Sequence, residues 1–205
     1  YMLGEHIARA EEESGLPHVS VLAAAYRNDV PVYTSAPSDS TIGLEVAAIR
    51  FGGSRLGFDS ILDANETTSF FYATRTRNTK SAVVLLGGGS PKNFTLQTAP
   101  HCTDSLGLEV KGHDYFLQIT DARADTGGLS GATPHEAVSW GKVDPERVPD
   151  AVVCYCDTTI ALPILTSYAL SRHAPRPPRR LYRMRGELLA ELKAAYLAQT
   201  RRVPH

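Results

Sequence analysis

The sequence predicts an α/β fold: a Rossmann-like, open, mostly parallel sheet with helices on both faces, followed by a C-terminal amphipathic helix. Three observations predict it. Ala82-Val83-Val84-Leu85-Leu86 and Ala151-Val152-Val153-Cys154-Tyr155 are continuous apolar runs of strand length, the pattern of parallel strands covered on both faces. Segments of helical character alternate with the strands, which favours parallel order. Beyond a Pro- and Arg-rich stretch, Leu181, Met184, Leu188, Leu192, Ala195 and Tyr196 recur at helical spacing.

The elements follow in order. Val19 to Asn28 is Ala-rich and reads as a helix, before a strand at Pro31 to Ser35. A helix from about Ser40 to Phe51 begins on the capping pair Ser40-Thr41 and spaces Ile42, Val46 and Ile49 along one side. A short strand is expected around Leu56 to Phe58, then a helix through Phe70 to Ala73. The run at Ser81 to Leu86 is the clearest strand, and it ends in Gly87-Gly88-Gly89. A helix from about Lys92 to Leu106, a strand at Tyr115 to Thr120, a Gly-rich loop and a short helix at His135 to Trp140 come next. Ala151 to Tyr155 is the last strand and Thr158 to Ser171 the helix after it. Residues 1–172 read as the C-terminal part of an NAD-binding α/β catalytic domain, and 173–205 as a linker with a docking helix.

The 205 residues suffice for one sizeable core, and 42% hydrophobic with 21% charged residues is an ordinary globular composition. A net charge of −1 calls for neither nucleic acid nor an anionic membrane, and no apolar run is long enough to span a bilayer. Tyr1 to Gly15 is mixed, carries four glutamates and does not read as a signal peptide. Cys102, Cys154 and Cys156 form no disulfide framework and read as small core residues of a reducing, cytoplasmic compartment. The seven histidines show no metal spacing, so no metal site is expected.

Four stretches could carry chemistry. Gly87-Gly88-Gly89-Ser90 after a buried strand lets backbone approach a ligand; a tight turn and a dinucleotide site are both open readings. Asp125 to Ala132 holds three glycines and suits either a substrate-covering loop or a plain connection. In Glu136-Ala-Val-Ser-Trp-Gly-Lys142, an indole face can attract ammonium groups, and a desolvated lysine can become a nucleophilic amine. On spacing alone, a helix-ending surface lysine beside a core tryptophan fits as well. Asp39 and Asp157 each follow a predicted strand, where an acid can accept hydrogen bonds from ribose or cap the next helix.

The string Glu136 to Lys142 resembles the active-site signature of the deoxyhypusine synthase family. Ser-Asp-Ser-Thr-Ile-Gly (38–43), Leu-Gly-Gly-Gly-Ser-Pro-Lys (86–92), Gly-Leu-Ser-Gly-Ala (128–132) and Asp157 with Pro163 resemble further family segments in the same order. The resemblance runs from about Leu3 to Ala198. It implies an NAD-dependent transferase: a hydride passes from spermidine to NAD, and the resulting imine is cleaved with release of diaminopropane. The aminobutyl group then rests on a lysine as a Schiff base, passes to an acceptor amine and is reduced. The resemblance assigns Lys142 as that lysine. It places Glu136, Trp140, Asn93, Leu129, Gly128 and Ser130 at the polyamine, and Asp39, Gly88, Asp121, Ala122, Asp157 and Thr158 at NAD.

Departures from the family pattern bear on the substrate. Eukaryotic members carry an acid at the position of Leu44 (Glu45 is adjacent), a histidine at Asn93 and an aspartate at Leu129. The strings 89–94 and 127–131 are more similar to the bacterial and archaeal branch. The acceptor is therefore a lysine of the hypusine-containing translation factor or, alternatively, putrescine or another small amine as in homospermidine synthesis. A non-catalytic partner subunit is the third alternative. Family members are tetramers with active sites at dimer interfaces and carry a further N-terminal region, so an N-terminal half is an expected partner.

Overall fold

A computed structural model describes residues 1–16 and 18–200 of the chain. Residues 201–205, the end of the expected linker-and-helix segment, lie outside the described residues. The elements are α1 (Met2–Ser14), α2 (Val21–Arg27), α3 (Thr41–Phe51), α4 (Ser60–Thr76), β1 (Ala82–Leu86), α5 (Ser90–Leu96), α6 (Thr98–Pro100), β2 (Tyr115–Thr120), α7 (Pro134–Ser139), β3 (Val152–Tyr155), α8 (Thr158–Arg172) and α9 (Leu181–Thr200). The three described strands form one open sheet in the order β1-β2-β3, parallel throughout, with Val84 opposite Leu117 and Leu117 opposite Val152.

Local chemistry explains the helix starts. Ser20 caps α2 by accepting from the Ala23 N–H, Ser40 caps α3 through the Gly43 N–H, and Asp59 caps α4 through the Leu62 N–H. Helix α4 begins ten residues before the expected Phe70, because Asp59 supplies a start that apolar spacing does not reveal. Tyr1 to Gly15, expected only as a mixed stretch, is helix α1, closed by Gly15 at φ 66°.

Two expected strands do not form. Pro31 to Ser35 is irregular: Pro31 has no N–H to give a ladder, and the segment is held by the Tyr33 hydroxyl on Glu66 Oε2 at 2.9 Å. Leu56 to Phe58 finds no partner strand among the described residues. The expected long helix from Lys92 is divided into α5, α6 and a wider π turn at His101–Ser105. Pro100 lacks the N–H that a continuous helix would need there.

One face of the sheet builds the core. Val83, Leu85 and Phe116 pack with Leu96 of α5, Ala137 of α7 and Val143. A second cluster joins Phe71 of α4, Ala99, Cys102 and Leu108 to Leu192 of α9. Helix α9 thus packs on α4, and arginines at its start face acidic side chains. Arg180 and Arg183 pair with the buried Asp29 at 2.6 and 2.8 Å, and Arg185 lies 3.9 Å from Glu66.

The other sheet face is covered at Ile119 of β2, which is 2% exposed, but open on the two flanking strands. Val84, Leu86 and Val152 are about half exposed on it, and α8, which lies against β2, has no buried residue. Ile160, Ile164, Tyr168 and Leu170 of α8 and Phe51 of α3 are exposed as well.

Candidate active site at Lys142

The site is built around α7. Thr133 caps it by accepting from the Glu136 N–H. Its far end is a Schellman turn: the Gly141 N–H bonds the Val138 carbonyl at 2.9 Å, and the Lys142 N–H bonds that of Ala137 at 3.0 Å. Gly141 occupies the left-handed position at φ 66°, which is why glycine separates Trp140 from Lys142. The Lys142 carbonyl accepts from the His113 N–H, and Val143 bridges to His113 in parallel fashion. The backbone of Lys142 is therefore fixed on both sides.

Its side chain turns inward. Lys142 Nζ donates to Asn93 Oδ1 at 2.8 Å and lies 5.8 Å from the Trp140 ring centroid. Burial pushes the ammonium below the ordinary lysine range, and the Glu136 carboxylate opposes that without cancelling it. Trp140 is 65% exposed, so the core-tryptophan reading fails and the indole is available to a ligand. It sits at the helix cap, one residue past the end of α7.

The Gly-rich loop lies next to this group. Leu129 exposes half its side chain, Gly128 is open, and the Ser130 carbonyl accepts from Gln118 Nε2 at 2.8 Å and from the Thr120 hydroxyl at 3.3 Å. Gly88 abuts this loop: a Cβ there would lie 2.3 Å from Ser130 Cα. Gly87 and Gly89 take φ 79° and 82°. The triple glycine is thus required for a tight turn and a close loop contact, whatever it holds besides.

The other expected residues stand at the carboxyl ends of the strands, Gly88 after β1, Asp121 and Ala122 after β2, and Asp157 and Thr158 after β3. The Ala122 N–H bonds Thr120 Oγ1 at 3.1 Å, and Asp121 is exposed. Asp157 caps α8 through Oδ1, at 2.8 Å from the Thr159 N–H and 2.6 Å from its hydroxyl, and these bonds hold its carboxyl below the usual range. Asp39 is exposed in a 3-10 turn, and Ser40, not Asp39, caps α3. A hydrogen bond of 2.9 Å between Ser90 and Ser35 ties that segment to the glycine turn. Leu44 and Glu45 stand on α3 without a side-chain hydrogen bond to this group among the described residues.

The deoxyhypusine synthase family model matches residues 1–169. The chain belongs to the deoxyhypusine synthase family. It is 54% identical over 198 residues to a deoxyhypusine synthase-like protein of Nostoc punctiforme, covering 97% of this chain and 51% of that protein. A deoxyhypusine synthase-like protein of Cyanothece is 56% identical over 202 residues, covering 96% of this chain and 50% of the relative. The probable deoxyhypusine synthase 2 of Methanosarcina acetivorans is 39% identical over 181 residues, covering 85% and 49%. The chain spans about half the length of the curated relatives it matches.

Sequence reasoning missed Lys92 and Gln118. Lys92 is only 5% exposed, and its Nζ donates to Gln118 Oε1, Leu129 O and Ala132 O at 3.0, 3.0 and 2.7 Å. Nothing in the sequence marks a buried lysine, because most lysines are at the surface. The available signal was the polar Gln118 inside an otherwise apolar strand, which a buried position permits only with partners. Among the described residues no cluster of three or more His, Cys, Asp or Glu could hold a metal.

Proposed function

We propose that the protein transfers an aminobutyl group in the manner of deoxyhypusine synthases, with Lys142 carrying the group as an imine. The observation that carries this reading is the desolvated Lys142 amine held by Asn93 beside an exposed Trp140 and Glu136. A lysine whose ammonium is disfavoured presents the free amine that imine chemistry requires. Glu136 pairs with an ammonium of the polyamine, and the Trp140 face flanks its methylene chain. The Lys142 amine adds to the imine carbon of oxidised spermidine, and the bond from that carbon to the diaminopropane nitrogen breaks. That nitrogen leaves with the proton, as the free diamine. Asn93 Oδ1 orients Nζ through its hydrogen bond.

The residues at the strand ends fit NAD. Gly87 and Gly89 shape a turn in which backbone approaches a ligand, while exposed Asp121 and the free Oδ2 of Asp157 suit ribose hydroxyls. Bound NAD supplies the hydride acceptor for the oxidation and the donor for the final reduction.

The open sheet face and α8 support a further proposal: the rest of a longer polypeptide, or a second copy, covers them and completes the site. Among the described residues Glu136 is the carboxylate that acts on Lys142, and Asn93 and Leu129 alter how substrate ammonium groups are paired, so small amines stand beside the protein-lysine acceptor. The test uses the full-length protein with NAD and spermidine, trapped with borohydride. A spermidine-derived mass on Lys142 is expected; an unmodified Lys142 refutes the transferase reading and supports a non-catalytic subunit. Adding putrescine or the translation factor before the borohydride then identifies the acceptor, by which of the two lowers the trapped adduct.

A further inference from the structure

We infer that Lys92 is a positioning residue for Lys142: its buried ammonium fastens the Gly-rich loop and the head of α7, while the adjacent Asn93 fastens the tail. This rests on the reading of Lys142 as the imine-forming amine.

The geometry is a clamp from a single turn of α5. Lys92 Nζ bonds the carbonyls of Leu129 and Ala132, on either side of Ser130 and Gly131, and the side-chain oxygen of Gln118. Gln118 is itself buried and passes its two N–H groups to Gly87 O at 3.0 Å and Ser130 O at 2.8 Å. Ala132 leads directly into Thr133, the cap of α7. One residue on from Lys92, Asn93 holds Lys142, just beyond the other end of that helix. Two consecutive side chains thus fix both ends of the element that carries Glu136, Trp140 and Lys142.

An ammonium suits this place for a physical reason. Lysine offers three donors and no acceptor, and here three oxygens receive them. The Phe116 ring, 5.9 Å away, adds a weak attraction. No carboxylate is bonded to Lys92 among the described residues, so its charge is not neutralised locally. The charged groups acting on it are Glu136 of α7, which favours the ammonium, and Lys142, which opposes it. Repulsion between two cations is mutual. The Lys92 charge therefore also disfavours an ammonium at Lys142.

The experiment uses the full-length protein as Lys92→Met and Lys92→Arg. Amide exchange is read at residues 128–132, and Lys142 reactivity as the pH dependence of reductive alkylation by a simple aldehyde with cyanoborohydride, located by mass. Neither readout requires turnover, so it is separable from failure of the transferase reading. Lys92→Met is expected to speed exchange at 128–132 by on the order of tenfold or more. It should also move the Lys142 profile to higher pH, by on the order of one unit or less. Lys92→Arg keeps the charge but cannot seat its planar fork on the same three oxygens, so it should loosen the loop and leave the profile in place. Should Lys92→Met fail to fold, Lys92→Arg alone decides: a tight loop with a displaced profile overturns the inference. Wild-type exchange and profile in Lys92→Met overturn it equally.

Discussion

Replacing Gly88 with alanine separates packing from backbone freedom at the glycine turn. A Cβ at Gly88 would lie 2.3 Å from Ser130 Cα and 2.8 Å from Ser130 Cβ. Carbon atoms rest about 3.5–4.0 Å apart, so roughly 1.2 Å must be found. Ser130 cannot readily retreat: its carbonyl is held by Gln118 and Thr120, and Lys92 holds the carbonyls of Leu129 and Ala132. Either the glycine turn shifts or some of these bonds lengthen. The expected cost is about 2–4 kcal/mol, the upper end for an added methyl in a tight site. For a chain of this size that corresponds to a fall in Tm of about 5–15 °C. Gly128 is the control, because an added Cβ there meets nothing within 4 Å and its φ of −82° suits alanine. Gly128→Ala should stay within about 0.5 kcal/mol of the parent, or gain slightly from a stiffer unfolded chain. Urea unfolding of both variants measures the difference. Equal stabilities for the two would refute the reasoning, because loop composition and not the Gly88 contact would then be in control.

Gly141→Ala meets no atom within 4 Å, so its cost comes from φ 66° alone, about 1–2 kcal/mol, with Gly141→Asn recovering part of it in the same unfolding assay. Burial pushes His113 down to about 4 from 6.5, Arg75 adding to the effect while the Thr95 carbonyl and Asp114 oppose it. A depressed native value means stability that is complete above about pH 6.5 and lost as pH falls toward 4, so His113→Gln should flatten stability against pH in that window; parallel slopes would exclude this cause. Burial raises the Cys102 thiol to about 12 despite Arg75, so iodoacetamide at pH 8 should spare Cys102 in the folded protein and label Cys154 and Cys156 first, as peptide mass mapping would report.

What the sequence revealed, and what it did not, follows physical lines. β1 and β3 were legible because each is a continuous apolar run of strand length with a punctuated end, and β2 because only Gln118 and Thr120 interrupt its apolar character. Pro31 to Ser35 and Leu56 to Phe58 have apolar character too, but a strand exists only where a neighbour accepts its hydrogen bonds, and sequence does not show neighbours. Helix α1 was missed because only Gly4, Ala8 and Glu11 are buried on it, too small and polar a set to form an apolar stripe. At the site, spacing alone left Lys142 as one lysine past a helix end. Its inward hold depends on Asn93, 49 residues earlier, a contact made by the first turn of α5 rather than by any local pattern. Trp140 shows the reverse case: apolar character suggested core, while the Schellman turn directs it outward.

The two lysines illustrate why burial by itself does not make a nucleophile. Burial disfavours both ammonium groups. Lys92 has an acceptor for each of its three N–H donors, so losing a proton would leave one oxygen without its donor in a buried place. Among the described residues Lys142 has one hydrogen-bond partner, Asn93 Oδ1, and a neutral amine can still satisfy it. Deprotonation therefore carries a hydrogen-bond penalty at Lys92 and none at Lys142, while the Lys92 charge, remaining in place, disfavours a second cation nearby. The same α5 turn thus supplies a strut whose three hydrogen bonds favour the ammonium and the hold on an amine that can lose its proton without losing its partner. On this account an aldehyde offered at neutral pH should modify Lys142 well before Lys92. Preferential modification of Lys92 would mean that acceptor count does not govern which amine is free.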